Sequence, residues 1–235
     1  MPPKGDVVTD NELQLSSSLS GLSLLSRTNE LSTWNDQPAR VYRIRASVDE
    51  VSFDMVLIAV EQIHGHSSIA DLQITVHGIW QYELDPLVKQ CEEAKEPTMF
   101  LLGLRSFVNE MEYRRDVWKW MKAKWGSYVS FPVESYSDSV LVCTDKDASP
   151  SLVVSLDYHR SDRPKFLLTW VIQFSPEGIV VPVIRPFFDI QMKEDAKQSE
   201  CDQLIRSILS VFDELIHVRS VEDAICFLME TINPT

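Results

Sequence analysis

The sequence predicts an α+β protein with two tandem domains, each an antiparallel sheet with helices on one face. Segments with the alternating apolar pattern of β-strands are followed by segments with helical periodicity, and this order occurs twice along the 235 residues. Hydrophobic residues make up 44% of the chain, with six Trp and ten Phe, which is enough to bury a core. Runs of strands followed by runs of helices are typical of α+β domains and not of the βαβ folds that bind nucleotides.

The first 37 residues differ from the rest of the chain in composition. They are rich in serine and leucine and contain no aromatic residue before Trp34. This composition predicts a disordered tail over residues 1–37. Leu15, Leu19 and Leu22 follow a helical spacing, so a short helix formed against a partner is the alternative.

The first predicted domain covers residues 38–104 and begins with three strands. β-type segments occur at Val41–Arg45, at 52–61 and at 71–76. In the second of these segments apolar residues occupy both alternating faces, which favours a central strand.

Helical periodicity starts near Leu87, after the break at Asp85-Pro86, and Pro97 is expected to begin a second and longer helix. The later part of this helix, residues 105–125, is predicted to join the two domains. Its apolar stripe is interrupted once, at Arg114. The stripe consists of Phe100, Leu104, Phe107, Met111, Trp118, Met121 and Trp125.

The second predicted domain covers residues 126–235. Alternating segments at 152–158 and 166–174 each predict a strand with one buried face. Ser175-Pro176-Glu177-Gly178 predicts a tight turn into a further strand, which completes a hairpin. Two helices end the chain, and the second is expected to begin at Ser220 with a capping box.

Charge and composition exclude several classes of function. The formal net charge is −13, which disfavours binding to nucleic acids and to anionic membranes. No stretch is long and apolar enough for a membrane helix, and the N-terminus does not have the pattern of a secretory signal. With seven glycines and no phosphate-binding loop motif, a nucleotide enzyme is not expected. We therefore predict no cofactor.

Two sets of residues leave other functions open. His64 and His66 could begin a metal site, but no Cys or further His nearby completes it, so a polar turn is the favoured interpretation. Basic residues gather on one helical stretch, which could contact an acidic partner or DNA, although a solvated helix face is favoured. They are Arg105, Arg114, Arg115, Lys119, Lys122 and Lys124.

The long helix and the hairpin carry the resemblance of this chain to a known family. Leu104–Val108, Glu112-Tyr113-Arg114-Arg115 and Trp118–Lys124 resemble the long linking helix of the centromere protein P family. The block Leu167–Ile172, with Gly178 and Pro182, is similar to the second-domain hairpin of that family. The resemblance covers about residues 39–232. The vertebrate family members carry a long coiled-coil-like N-terminal region, where this chain has the short Ser/Leu tail.

The resemblance implies two RWD domains and a structural, non-enzymatic role. The family belongs to the constitutive centromere-associated network of the inner kinetochore, in the nucleus, where its members act in chromosome segregation. The implied partners are a centromere protein O-like subunit, as a heterodimer, and centromere protein Q-like and U-like subunits. RWD domains resemble ubiquitin-conjugating enzymes but lack their catalytic cysteine, so the resemblance implies no catalytic residue.

Two alternatives to the kinetochore function stay open. One is an RWD-type adaptor in a different complex. The other is an enzyme of the ubiquitin-conjugating type, for which a cysteine would have to act as the nucleophile. The candidates are Cys91, Cys143, Cys201 and Cys226.

Two groups of residues are predicted to contact a protein partner. The first lies on the second apolar side of the long helix, because a helix that is apolar on two sides is normally packed on both. The second lies on the sheet face opposite the core of the second domain, which is semi-apolar. The residues are Tyr113, Val117 and Trp120 on the helix and Val153, Leu167 and Val171 on the sheet.

Overall fold

The computed structural model describes residues 21–61, 67–125, 151–152, 165–189 and 198–232. The described chain forms two compact units, and each unit is built from two segments that are separated along the chain. The first unit contains the residues up to Met111 together with Ile172–Val181, and the second contains 112–171 and 182–235. The chain therefore passes from one unit to the other inside one helix and inside two strands, and not through a loop.

The first unit contains a four-stranded antiparallel sheet in the order β1-β2-β3-β4. The strands are β1 (Leu22–Trp34), β2 (Gln37–Val48), β3 (Val51–Glu61) and β4 (Ser67–Val76). The prediction that the segment at 52–61 is a central strand is confirmed, since β3 pairs with β2 and β4. Its first half buries Val51, Phe53 and Met55, and Val60 near its other end is buried on the opposite face.

The prediction of a tail over residues 1–37 is wrong for Leu22–Trp34, which form the outer strand β1. This strand pairs with β2 along nearly its whole length, with one register shift between Leu24 and Ser26. Most of its side chains are exposed, so β1 is held by backbone pairing and not by a buried face. A strand of this kind has no alternating pattern of apolar residues, so the sequence pattern does not predict it. Residues 1–20 lie outside the described residues.

Two helices follow the sheet, α1 (Gln81–Ala94) and α2 (Pro97–Trp125). The prediction that Pro97 begins the longer helix is confirmed. Helix α1, however, begins before the Asp85-Pro86 step, and Pro86 lies inside it. Because the Leu84 N–H already donates to the Trp80 carbonyl, Pro86 lies past the unpaired N–H groups of the helix start, and α1 lacks one internal hydrogen bond at this residue. Lys95 ends α1 in the left-handed conformation, with φ 57°.

The core of the first unit lies between the sheet and these helices. The rings of Phe53 on β3 and Phe100 on α2 meet edge to face, with centroids 5.1 Å apart. Glu92 on α1 accepts a hydrogen bond from the backbone N–H of Ile74 at 2.6 Å, which attaches the helix to β4. The helical residues of this core are Leu84, Leu87, Cys91, Phe100, Leu104, Phe107 and Met111.

The tip of the predicted hairpin belongs to the first unit. The turn forms as predicted, since the Gly178 N–H donates to the Ser175 carbonyl at 2.9 Å. Gly178 has φ +74°, and a Cβ on it would lie 2.7 Å from the Met99 side chain, so only glycine fits there. Phe174 stacks on Phe107, with ring centroids 6.3 Å apart. The turn is therefore packed against α2.

The second unit combines the later half of α2 with a sheet in the order β5-β6-β7 and two helices. The remaining elements are β5 (Ser151–Leu152), β6 (Lys165–Phe174), β7 (Val180–Asp189), α3 (Gln198–Val218) and α4 (Val221–Ile232). The predicted strand at 152–158 lies outside the described residues beyond Leu152. Strand β7 continues through Pro182 and Pro186, which an edge strand of the described sheet tolerates because its outer N–H groups need no partner strand.

The core of the second unit is built from one face of the hairpin and from three helices. Leu168 and Trp170 on β6 are fully buried, which confirms the predicted core face of this strand. Phe212 on α3 and Leu228 on α4 pack in the same cluster. The Asp223 N–H donates to the Ser220 hydroxyl at 3.1 Å, so the cap predicted for the last helix is present.

Candidate protein-interaction surface

Arg114 lies inside the second unit and not on a solvated helix face. Its side chain is 6% exposed, and Nη1 donates to the Trp170 carbonyl on β6 at 3.2 Å. This corrects two expectations, that Arg114 interrupts the apolar stripe of the helix and that it belongs to an exposed basic cluster. A guanidinium can be buried at moderate cost when it keeps hydrogen-bond acceptors.

Trp170 is the centre of the aromatic contacts around Arg114. The ring of Tyr113 meets it edge to face at 5.6 Å between centroids, and that of Trp118 does so at 5.4 Å. The Tyr113 hydroxyl donates to the Glu222 carboxylate on α4 at 2.9 Å. Tyr113 and Arg114 thus attach α2 to β6 and to α4 within the second unit.

The three predicted contact residues of the helix occupy different environments. Tyr113 is 38% exposed, whereas Val117 is 1% exposed and lies in the core of the second unit. Trp120 is half-buried against that core and meets Trp125 edge to face at 5.2 Å. Only Tyr113 and Trp120 therefore offer surface to a partner. Val117 is apolar because the core of its own unit needs it.

The outer face of the second sheet, opposite its core, carries the other predicted group. Val171 is half-buried on this face. The side chain of Leu167 and the whole of Val153 lie outside the described residues. Phe187 on β7 has the same orientation and is 52% exposed, although the sequence did not single it out. Phe187 follows the same alternation as Val181 and Val183, but Pro182 and Pro186 interrupt the strand pattern in the sequence and suggest a broken strand.

Contacts across the hairpin place two apolar residues of this outer face opposite each other. The Ser175 N–H donates to the Ile179 carbonyl at 2.9 Å, and the Thr169 hydroxyl donates to the Arg185 carbonyl at 3.1 Å. Both contacts fit one hairpin register, in which Val171 is opposite Val183. We call the residues Val171, Val183 and Phe187 the outer-face patch.

The basic residues of α2 are engaged with neighbouring side chains. Lys119 pairs with Asp116 at 3.1 Å, and Arg105 in the first unit lies 3.7 Å from Asp49. The Lys124 ammonium lies over the rings of Trp120 and Trp125, at 5.3 and 4.5 Å from their centroids. The two ion pairs offset part of the positive charge that a DNA backbone would meet.

The cysteines differ in whether they could act as nucleophiles. Cys91 is buried in the first unit, and this burial together with Glu92 and Glu96 raises the pKa of its thiol to about 11. A catalytic thiol needs the opposite shift, because the thiolate is the reactive form. Cys226 is half-buried, with its Sγ 3.1 Å from the Lys124 ammonium. Cys143 and the side chain of Cys201 lie outside the described residues.

The predicted histidine pair, His64 and His66, also lies outside the described residues. In the part of the chain that the structure describes, no group of three or more His, Cys, Asp or Glu side chains is arranged to hold a metal ion. His77 instead contacts Asp54, with Nε2 3.1 Å from a carboxylate oxygen. No helix within the described ranges is long and apolar enough to cross a membrane.

Comparison with known proteins identifies the family. A family model described as "CENP-A-nucleosome distal (CAD) centromere subunit, CENP-P" matches residues 42–229. The chain is 23% identical to Centromere protein P of Danio rerio over 194 residues, which are 82% of this chain and 60% of that protein. It is 27% identical to Centromere protein P of Homo sapiens over 170 residues, which are 71% of this chain and 52% of that protein.

A third relative, Centromere protein P of Mus musculus, is 24% identical over 189 residues, or 78% of this chain and 60% of that protein. The matched part thus spans between about half and three fifths of the length of these curated relatives. The family model covers the sheet and helices of the first unit from β2 onward, the hairpin and most of the last helix. The chain therefore belongs to the CENP-P family of centromere subunits, which places it at the kinetochore in the nucleus.

Proposed function

We propose that this chain is a non-enzymatic structural subunit of the inner kinetochore, built from two RWD-type domains, which forms a heterodimer with a centromere protein O-like subunit. In this proposal the heterodimer joins centromere protein Q-like and U-like subunits and helps to assemble the centromere-associated network for chromosome segregation. Family membership and the α+β architecture with two antiparallel sheets support it.

The outer-face patch is the observation that carries the proposal of a protein partner. Phe187 is 52% exposed, and Val171 and Val183 lie on the same outer face four residues further along the hairpin, on a sheet whose other face is already filled by Leu168 and Trp170. An antiparallel sheet that needed only one core would present polar residues on its second face. Aromatic residues within apolar patches are frequent anchors of protein interfaces, and truncating such an anchor typically costs about 2 kcal/mol or more of binding free energy.

The proposed heterodimer can be tested with a double substitution, Val171→Asp with Phe187→Asp, in the full chain expressed together with its centromere protein O counterpart. We expect co-purification to fall at least tenfold, because two carboxylates would be desolvated in the interface. Ala123→Asp on the exposed side of α2 is the control and should leave co-purification unchanged.

Circular dichroism separates loss of binding from loss of folding. A folded double variant that still binds its counterpart normally would refute the outer-face patch as the contact. If the double variant unfolds, the single variant Phe187→Lys, at an exposed position of the edge strand, is tested in its place. Normal binding by the folded Phe187→Lys variant would likewise refute the outer-face patch as the contact.

An enzyme of the ubiquitin-conjugating type is the second candidate. Incubation with charged activating enzyme would transfer ubiquitin to a cysteine of such an enzyme as a thioester, which an added thiol cleaves by exchange. The buried, high-pKa thiol of Cys91 argues against this reaction at that residue. A thiol-labile ubiquitin adduct at any of the four cysteines would overturn the structural role.

A further inference from the structure

Strand β1 forms one edge of the first sheet, and its outer side is paired with no other strand of the described chain. The strand has 13 residues, and after the register shift between Leu24 and Ser26 its pairing with β2 continues without interruption to Trp34. An edge strand carries a row of backbone N–H and C=O groups that can pair with a further strand. On the outer side of β1, backbone hydrogen bonding and not apolar burial therefore selects what binds.

The turn that follows β1 determines which backbone groups lie on this outer side. Trp34 pairs with Gln37 across a two-residue turn, whose positive φ values of 48° and 64° are those of a type I′ hairpin. The closing pair of such a hairpin is hydrogen-bonded, and hydrogen-bonded and non-hydrogen-bonded pairs alternate from there. Pro38 falls on a non-hydrogen-bonded position, which agrees with its missing N–H. The backbone groups that point away from β2 belong to the residues that we call the β1 edge, Arg27, Asn29, Leu31 and Thr33.

The opposite edge of the same sheet, on β4, is covered by a side chain of the first unit. The His77 N–H donates to the Ser52 carbonyl on β3 at 2.8 Å, so the N–H groups of even-numbered residues, including Ile74, point away from β3. Glu92 on α1 accepts the Ile74 N–H at 2.6 Å. Within the described ranges no side chain does the same at the β1 edge, and β1 contains neither proline nor lysine, which commonly protect exposed edges. Of the two edges, β1 is the one that is open to another strand.

We infer that the β1 edge binds an extended segment of another protein, which joins the first sheet as a further strand. In this mode of binding, main-chain hydrogen bonds supply affinity and alternate side chains supply specificity. Leu31 is 81% exposed, and the exposed Arg27, which lies 5.9 Å from the centre of the Tyr42 ring, is on the same side of the sheet. A strand complementary to this edge carries an apolar residue opposite Leu31 and an acidic residue opposite Arg27, four residues apart.

A second copy of this chain is a poorer occupant of the β1 edge. Two β1 strands related by a twofold axis would pair antiparallel, with their edge residues opposite each other. With Asn29 at the axis, Arg27 would be opposite the apolar Leu31, and with Glu30 at the axis, two carboxylates would meet. Glu30 is the one acidic residue of β1, and it points to the other side of the sheet, where it pairs with Arg43 at 3.3 Å. No twofold register therefore places an acid opposite Arg27.

This inference rests on the proposed function, because the extended segment is expected to come from a subunit of the centromere-associated assembly. The test uses two double variants of the full chain, each expressed together with its centromere protein O, Q and U counterparts. Asn29→Pro with Leu31→Pro removes two outward N–H groups and keeps the hydrogen bonds between β1 and β2. Asn29→Ala with Leu31→Ala is the matched control, since it removes the same side chains and keeps both N–H groups.

We expect the proline pair to lower co-purification of the subunit that supplies the strand at least about tenfold, because each proline removes an inter-strand hydrogen bond. The alanine pair should lower it by only about threefold, the scale of a cross-strand side-chain contact. Arg27→Glu should also weaken binding, because it would place two carboxylates opposite each other. In the complex of the parent chain, the backbone amides of Asn29 and Leu31 should exchange with deuterium at least about tenfold more slowly than in the chain alone.

Several results would overturn the inference and leave the proposed function standing. Equal losses from the proline and alanine pairs would indicate docking through side chains, and a proline pair that is folded by circular dichroism and retains every subunit would reject strand addition. If the proline pair unfolds, amides of Asn29 and Leu31 that exchange equally fast in the parent complex and in the chain alone would reject it instead. Protection that appears in the chain alone as its concentration rises would assign the edge to a second copy.

Unchanged binding by Arg27→Glu would reject an acidic strand as the occupant. The proposed function has a separate outcome, because it fails together with this inference only if no counterpart co-purifies with the parent chain.

Discussion

Replacing Arg114 by alanine is expected to destabilise the second unit by about 4 kcal/mol. The side chain is 6% exposed, so the two methylene groups that alanine lacks are buried, and losing their contacts costs about 2 kcal/mol at roughly 0.8 kcal/mol for each group. The hydrogen bond from Nη1 to the Trp170 carbonyl has a charged donor and contributes about 2 kcal/mol more. Arg114→Met keeps most of the buried volume, so it should cost only about 2 kcal/mol.

Urea unfolding followed by tryptophan fluorescence measures this difference, because the rings of Trp118 and Trp170 lie beside the substituted position. Lys119→Ala is the matched control on the same helix. That lysine is exposed and paired with Asp116, so its loss should change the free energy of unfolding by less than about 0.5 kcal/mol. If Arg114→Ala were no more destabilising than Lys119→Ala, the buried Arg114 side chain would not stabilise the unit in the way described. If Arg114→Ala were no worse than Arg114→Met, the buried methylene groups would contribute nothing.

Three further predictions concern the first unit. Gly178→Ala should destabilise it by about 2 kcal/mol, because alanine there adds a steric clash to a strained positive φ. Gly78→Ala, with φ +83° and open space around it, should cost only about 1 kcal/mol in the same urea assay. Equal losses for the two variants would contradict the close packing of the turn. The pKa of the Cys91 thiol is about 11 instead of 9.0. At pH 8 this thiol should therefore react with iodoacetamide at least about a hundredfold more slowly than it does in the urea-unfolded chain. Equal rates in the folded and unfolded chain would refute its burial. Hydrogen bonding by Arg45 lowers the pKa of Asp54 to about 2. The stability that this pair contributes is therefore fully present above the unfolded pKa near 3.8 and is lost as the pH falls through about 2. NMR titration of the Asp54 carboxyl should show a pKa of about 2, and Arg45→Ala should return that pKa towards 3.8.

Local sequence patterns were sufficient for the elements whose stability depends on a buried alternating face. The two apolar faces of β3 predicted its central position, the spacing of Leu168, Trp170 and Ile172 predicted the core face of β6, and Pro97 predicted the start of α2. In each case the residues that form the element are also the ones that bury its surface. Their pattern is therefore visible without knowledge of the rest of the chain.

The features that local patterns missed depend on distant residues. Strand β1 has few buried side chains and forms because β2 provides hydrogen-bonding partners along its edge. Arg114 is buried because a carbonyl 56 residues away accepts its hydrogen bond. Phe187 follows two prolines that suggested a broken strand, and the sequence does not show that β7 lies at the edge of its described sheet, where prolines are tolerated.

The alternation of the two units along the chain determines what a fragment of this protein can report. A fragment that ends after α2, at Trp125, lacks Ile172–Val181 and so loses the turn that packs on Phe107 and Met99. A fragment that begins there keeps that turn but lacks Tyr113 and Arg114, which anchor Trp170. Neither piece retains a complete core, so each would expose apolar surface that is covered in the whole chain and would bind non-specifically. Partner contacts of this protein should therefore be mapped with point substitutions in the full chain. With truncated fragments, loss of binding could not be distinguished from loss of folding.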